Sequence, residues 1–136
     1  FSFSKIEDEK SLRVTVKKLG DFTSNLGRSL AVGQAVQIQG PFGRFNLLDT
    51  GPQGWIAGGI GITPFLTWAE ALDAKAAQVD LFYCVRSRAE APHISEIEAL
   101  AAAKEKLTFI NDCIHFVDLA AVDHAAFITD IDRNFL

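Results

Sequence analysis

In "SLRVTVKKLG", apolar Leu12, Val14 and Val16 alternate with Arg13, Thr15 and Lys17. The period of two predicts a strand with its apolar side in a core and its polar side in solvent, stopped by Gly20. "DFTSNLGRSL" follows, with Thr23 placed to cap a short helix through its side-chain oxygen. "QAVQIQG" alternates again, Ala35, Gln37 and Gln39 opposite Val36 and Ile38, and predicts another strand. Four glycines and two prolines between Gly40 and Gly54 mark a linker. We place a boundary near residue 50.

Beyond it the pattern changes. "WIAGG" reads as a short buried strand, and "TPFLTWAEALDAKA" as a helix with Phe65, Trp68, Ala69 and Leu72 on one face and Pro64 in its first turn. "VDLFYCV" is a continuous apolar run suited to a parallel strand covered on both faces. "HISEIEALAAAKEK" predicts a helix presenting Ile94, Ile97 and Leu100 or Ala101, and "LTFIND" a third strand. Strand, helix, strand, helix, strand is the order of an α/β doubly wound parallel sheet. From Cys113 onward turn signals are lacking, and the pattern supports only a short helix around 119–127.

Composition narrows the options. With 136 residues, 49% hydrophobic and 22% charged, the chain has material for one domain plus part of another. No apolar run reaches the roughly 18 to 20 residues needed to cross a bilayer, and no leader pattern opens the sequence, so it is expected to be soluble. Residues 1–50 carry seven Lys/Arg against five Asp/Glu, and residues 51–136 six against twelve. A net charge of −4 without a basic stripe argues against nucleic-acid binding. Cys84 and Cys113 stand apart in apolar segments, as buried thiols do. His93, before a helix, is expected to be exposed. His115 and His124 lack metal-ligand spacing. Glu96 and Glu98, two positions apart, suit a solvated helix face better than an acid/base pair. Neither a metal site nor an acid/base catalyst is expected.

The candidate chemistry lies in "GGIGITP". Gly58, Gly59 and Gly61 between a strand and a helix allow close approach of a ligand, and the helix N-terminus offers free N–H groups and a positive dipole end. Pro64 stands where the usual G-x-G-x-x-G fingerprint needs glycine, and the Lys of a P-loop is absent. The alternative is a turn that only packs helix on sheet. Thr63 and Pro64 favour an anion site, because a hydroxyl and a pre-set first turn both organise one.

"GGIGITP", taken with "FSFS", "LGDFTSNL", "GPFGRF" and "FYCVRSRAEA" over residues 1–110, resembles the ferredoxin–NADP reductase superfamily, most of all ferric-reductase-type and NADPH-oxidase-type flavin dehydrogenase domains. The resemblance implies that residues 1–50 are the last strands and short helix of an FAD-binding antiparallel β-barrel. Residues 51–136 would then be an NAD(P)H-binding α/β domain, incomplete at its C-terminus. It implies that Phe1 stacks on the flavin and Ser2 bonds near N5, the alternative being a plain strand with Phe1 and Phe3 in a core. It places the flavin pyrophosphate on Gly20 to Thr23 with Lys17 nearby, against the alternative of a capped helix beside a solvated Lys17–Lys18 pair. It turns Gly58, Gly59, Gly61, Thr63 and Pro64 toward the nicotinamide nucleotide, with Thr63 bonding it. Arg86, Ser87 and Arg88 end the second parallel strand, where an arginine accommodates a 2′-phosphate, which favours NADPH over NADH; solvated arginines are the alternative.

The implied activity is hydride transfer from NAD(P)H to FAD, with electrons passed to haem, an iron–sulfur centre or ferric iron in an acceptor domain or protein. A location on the cytoplasmic side follows, with an inner-membrane parent protein among the alternatives. The family's barrel strands before the aromatic-Ser pair and its C-terminal Cys-Gly are not matched: Cys84 precedes Val85 and Cys113 precedes Ile114. The chain is expected to be a piece of a longer reductase, or else a domain that binds nucleotide without transferring hydride.

Overall fold

The computed structural model describes residues 1–8, 11–40, 42–47 and 51–111. Cys113, His115, His124 and the helix expected around 119–127 lie outside the described residues. Strands β1 (Phe3–Asp8) and β2 (Ser11–Val14) form an antiparallel hairpin, followed by helix α1 (Gly20–Ser29). The second region holds β3 (Gln53–Gly58), a 3-10 turn at Gly59–Ile62, α2 (Thr63–Ala71), β4 (Val79–Cys84), a 3-10 turn at Arg88–Glu90, α3 (Ile94–Ala103) and β5 (Leu107–Ile110). β3, β4 and β5 are parallel and adjacent in that order.

Strand side chains alternate between faces, so one face of this sheet carries Trp55, Ala57, Val79, Leu81, Tyr83 and Leu107. All are buried, in one cluster with Phe65, Leu66 and Ala69 of α2 and Ile97 of α3. Both helices therefore pack on the same face, as two crossovers of one hand require when the strands step in one direction. The other face carries Ile56, Phe82 and Ile110, level with one another in the register and only partly buried. The sequence predicts β4 covered on both faces; among the described residues the second face is covered only in part, with Cys84 buried and Phe82 half-buried. The expected helix face is found, with Leu66 added to it. α2 stops at Ala71, five residues short of its expected end, because the Asp73 carboxylate accepts from the amides of Lys75 (2.8 Å) and Ala76 (3.0 Å) in a local turn. Lys104, just past α3, donates to the carbonyls of Glu70 and Leu72 at 2.9 and 2.6 Å, satisfying acceptors at the end of α2.

The first region departs from its sequence pattern in two places. β2 alternates, but its faces are reversed: Leu12 and Val14 are exposed, while Arg13 and Thr15 are half-buried against the second region. Only Val16 of the three apolar positions is half-buried, whereas the polar side finds ionic and hydroxyl partners. Residues 35–39 form no strand, and Val36 and Ile38 are exposed, since a strand needs a neighbour for its backbone bonds. Within the linker, Phe45 stacks on Trp68 with centroids 4.7 Å apart and meets Phe65 edge-on at 5.8 Å, which ties it to α2.

Candidate functional site

A cavity of about 790 Å³ lies between the two regions, within the range of small-ligand sites. From the first region Phe1, Ser2, Thr15, Val16, Lys17, Leu19 and Thr23 line it, and from the second Gly58, Gly59, Gly61, Thr63 and Arg86 are among the lining residues. Nine of the thirteen residues singled out from the sequence therefore meet at one place. Gly20, Pro64, Ser87 and Arg88 are not in the lining. Pro64 sits in the first turn of α2, and Gly20 opens α1 with φ +74°, a conformation glycine adopts without strain.

The glycine turn is built from three parts. β3 ends at Gly58, Gly59 takes φ +48° to leave the sheet, and the 3-10 turn delivers buried Thr63 as the first residue of α2. Gly58 has φ −112° and ψ 122°, which any residue adopts, and a Cβ there would meet nothing within 4 Å. No described residue fills the space a side chain would take there. A ligand approaching the backbone would find room at this position.

Beneath the turn stands Tyr83, the chain's single tyrosine, fully buried. Its hydroxyl proton is shared between the carbonyls of Gly59 and Pro92, each 3.0 Å away. Burial pushes the phenol well above its ordinary value, so it remains a neutral donor. Pro92 also lines the cavity, and Tyr83 thus joins two of its walls. Tyr83→Phe leaves two carbonyls without their donor. We expect a loss of about 1–3 kcal/mol in urea unfolding and a severalfold weaker nucleotide affinity by titration. Unchanged affinity would show that the turn holds its shape without this bond.

Several side chains stand differently from expectation. Thr23 is not an N-cap: α1 begins three residues earlier, and Thr23 Oγ1 accepts from the Leu19 amide at 2.7 Å. Arg88 forms a two-pronged pair with Glu98 (2.6 and 2.7 Å), which draws it onto α3 and gives Glu98 a partner. Among the described residues Arg86 is left as the arginine lining the cavity, and Glu90 lines it too. His93 is not exposed. It sits at φ 59°, with Nε2 2.8 Å from Thr15 Oγ1 and Nδ1 2.9 Å from Glu96. Glu96 also receives Arg13 Nη2 at 2.7 and 2.9 Å. Burial works against its charge, but the hydrogen bonds and charges of Arg13 and His93 outweigh it and hold the carboxyl below the usual range. Its contribution to stability is present above the ordinary carboxyl value of roughly 4.3 and is lost as pH falls through the lowered one.

Residues 55–121 match the family described as the oxidoreductase NAD-binding domain. The chain carries the NAD-binding domain of the ferredoxin–NADP reductase superfamily. Similar proteins include a flavohemoprotein of Pseudomonas putida, 33% identical over 110 residues, covering 79% of this chain and 28% of that protein. The reductase component of a phenol 2-monooxygenase from a Pseudomonas species is 32% identical over 109 residues, covering 76% of this chain and 30% of that protein. Methane monooxygenase component C of Methylosinus trichosporium is 27% identical over 122 residues, covering 82% and 36%. The chain thus spans about a third or less of the relatives it matches. No solved structure matches it.

In this NAD-binding domain the turn, the start of α2 and the end of β4 form one side of the cavity. Tyr83 was legible in principle, because a hydroxyl at an inward position of an apolar strand must find an acceptor. The Ala89–Pro92 segment, also in the lining, carries no such signal in the sequence. Among the described residues there is no cluster able to hold a metal ion, and no helix long and apolar enough to cross a membrane.

Proposed function

We propose that this chain belongs to a flavin-dependent reductase that passes hydride from NAD(P)H to FAD and electrons onward to a haem or oxygenase-type acceptor. One observation carries the reading: the residues proposed for flavin (Phe1, Ser2, Lys17, Thr23) and those proposed for the nicotinamide nucleotide (Gly58, Gly59, Gly61, Thr63, Arg86) line a single cavity. Two rings that exchange a hydride must share a site. Phe1, 86% exposed at the cavity, is free to stack rather than committed to a core. Apolar side chains left exposed along the first region, Phe22, Val36, Ile38 and Phe42 among them, support reading residues 1–50 as part of a larger barrel.

When bound, the cofactors would supply the chemistry, hydride transfer from nicotinamide to flavin and single-electron release from the flavin. The chain's part is to bind and orient. Lys17 and the start of α1 offer positive charge and N–H groups to a pyrophosphate, and the turn's bare backbone leaves room for the nicotinamide side. Arg86 at the rim favours a 2′-phosphate, and hence NADPH over NADH. The relatives' names favour haem and oxygenase acceptors over ferric iron.

The test is turnover of NADPH and NADH by the flavin-loaded protein with a dye acceptor. Thr63→Ala is expected to weaken binding of both nucleotides by about tenfold, the loss of one hydrogen bond to a charged group. Arg86→Ala should weaken NADPH about tenfold and NADH hardly at all. Equal losses for the two nucleotides would remove the 2′-phosphate role, and tight nucleotide binding without turnover would leave a binding domain in place of an enzyme.

A further inference from the structure

We propose that Arg13, Glu96 and His93 form a latch between the hairpin and α3 that sets how the Phe1–Ser2 end faces the glycine turn. Hydride-transfer rate then depends on the latch more than nucleotide affinity does. The inference rests on the function proposed above and names residues outside the set assigned to cofactors.

The latch is a closed ring of five side chains. Ser4, fully buried, receives Arg13 Nε at 3.0 Å and the Thr15 hydroxyl at 2.9 Å on its Oγ, while its carbonyl accepts from Arg13 Nη2 at 2.9 Å. Arg13 Nη2 continues to both Glu96 oxygens, Glu96 to His93 Nδ1, and His93 Nε2 returns to Thr15. Three members come from the hairpin and its extension, and two from the start of α3. Arg13 and Glu96 are 83 residues apart, so the ring exists only in the folded chain.

Position gives the ring its role. Thr15 lines the cavity, Ser4 lies two residues from Ser2, and His93 follows Pro92, whose carbonyl shares the Tyr83 proton with Gly59. The flavin-side and nucleotide-side walls are thus joined through a few directional bonds. Among the described residues, Leu12 and Val14 on the other side of the hairpin are exposed. Its further ties run to α2: Thr67 Oγ1 donates to the Phe3 carbonyl at 3.1 Å, and Lys5 lies 3.8 Å from Glu70. His93 takes a left-handed conformation uncommon for a residue with a side chain, one that persists where surrounding contacts over-determine it. A burial contact tolerates sliding, whereas a guanidinium held by Nε on Ser4 Oγ and by Nη2 on both Glu96 oxygens is fixed in distance and angle. Reaction between two held rings is sensitive to displacements near 1 Å.

The experiment is rapid mixing of the flavin-loaded full-length protein with the nicotinamide nucleotide, which separates the saturating rate of flavin bleaching from the half-saturating concentration. Glu96→Gln is expected to slow the saturating rate by roughly ten- to a hundredfold. Its half-saturation should stay within about twofold of wild type. Arg13→Lys, which keeps the charge and loses the two-nitrogen bridge from Ser4 to Glu96, should behave alike, and Glu98→Gln, on the same helix but outside the ring, should match wild type. Equal saturating rates in Glu96→Gln and wild type overturn the latch. So does a half-saturation that rises by the factor the rate falls, since the ring would then be holding the nucleotide. Hydrogen exchange of the β1–β2 amides supplies an arm that needs no cofactor: Glu96→Gln should speed it about tenfold while the β3–β5 amides keep their rates. Unchanged hairpin exchange overturns the proposal. If wild type transfers no hydride, the proposed function fails by itself and the exchange arm decides the latch.

Discussion

Gly58→Val is expected to leave the fold intact and to weaken nicotinamide-nucleotide binding by roughly a hundredfold, the scale of an overpacked site. The backbone at Gly58 already has β geometry, which valine prefers, and pairs with Cys84 in the parallel register. A Cβ there meets no atom of the described chain, and the residue lines the cavity. Removing a glycine from a strand also lowers the entropy of the unfolded chain, so the melting temperature should hold or rise slightly. Affinity and stability thus move in opposite directions, a combination that general damage to the fold cannot produce. Gly59 is a poorer probe, because its φ of +48° strains any replacement. Calorimetric titration beside a thermal melt decides the matter: undiminished binding by Gly58→Val would mean that the nucleotide does not lie against this turn.

Phe65→Ala should have the largest effect on stability, about 3–5 kcal/mol in urea unfolding. That is a large part of the 5–15 kcal/mol that holds a typical domain together. Phe65 is fully buried, with its ring 5.4 Å from Trp55, 5.4 Å from Trp68 and 5.8 Å from Phe45, centroid to centroid. It links the sheet, α2 and the linker. Phe45→Ala removes a ring that is 38% exposed and should cost nearer to 1 kcal/mol. A loss below about 1.5 kcal/mol for Phe65→Ala would mean that the neighbouring rings close over the gap.

The parallel sheet and its two helices were legible because their cues are local: apolar runs of strand length, helical spacing at Phe65, Ala69 and Leu72, and glycines between strand and helix. Boundaries slipped where a side chain acted on its own backbone, as Asp73 does after α2 and Thr23 does inside α1. β2 shows the limit of periodicity. Alternation established that two faces exist, but which face turns inward depends on what covers it, and here the covering element is the start of α3, with Glu96 and His93. For the same reason Glu96 and His93 read as solvated in sequence and stand in the closed ring in the structure.

By itself, the order of residues determined that the chain forms a strand–helix–strand–helix–strand unit with a bare glycine turn before its first helix, because each of those features is set within a few residues by backbone geometry and side-chain period. Tertiary structure decided that Phe1, Ser2 and Lys17 face Gly58, Thr63 and Arg86 across one cavity. It also decided that Arg13 meets Glu96, and that Arg88 is drawn to Glu98. Those pairings bring together groups from distant segments or neighbouring elements, and only the packing of hairpin, turn and helix selects among the partners that charge and hydrogen-bonding capacity allow.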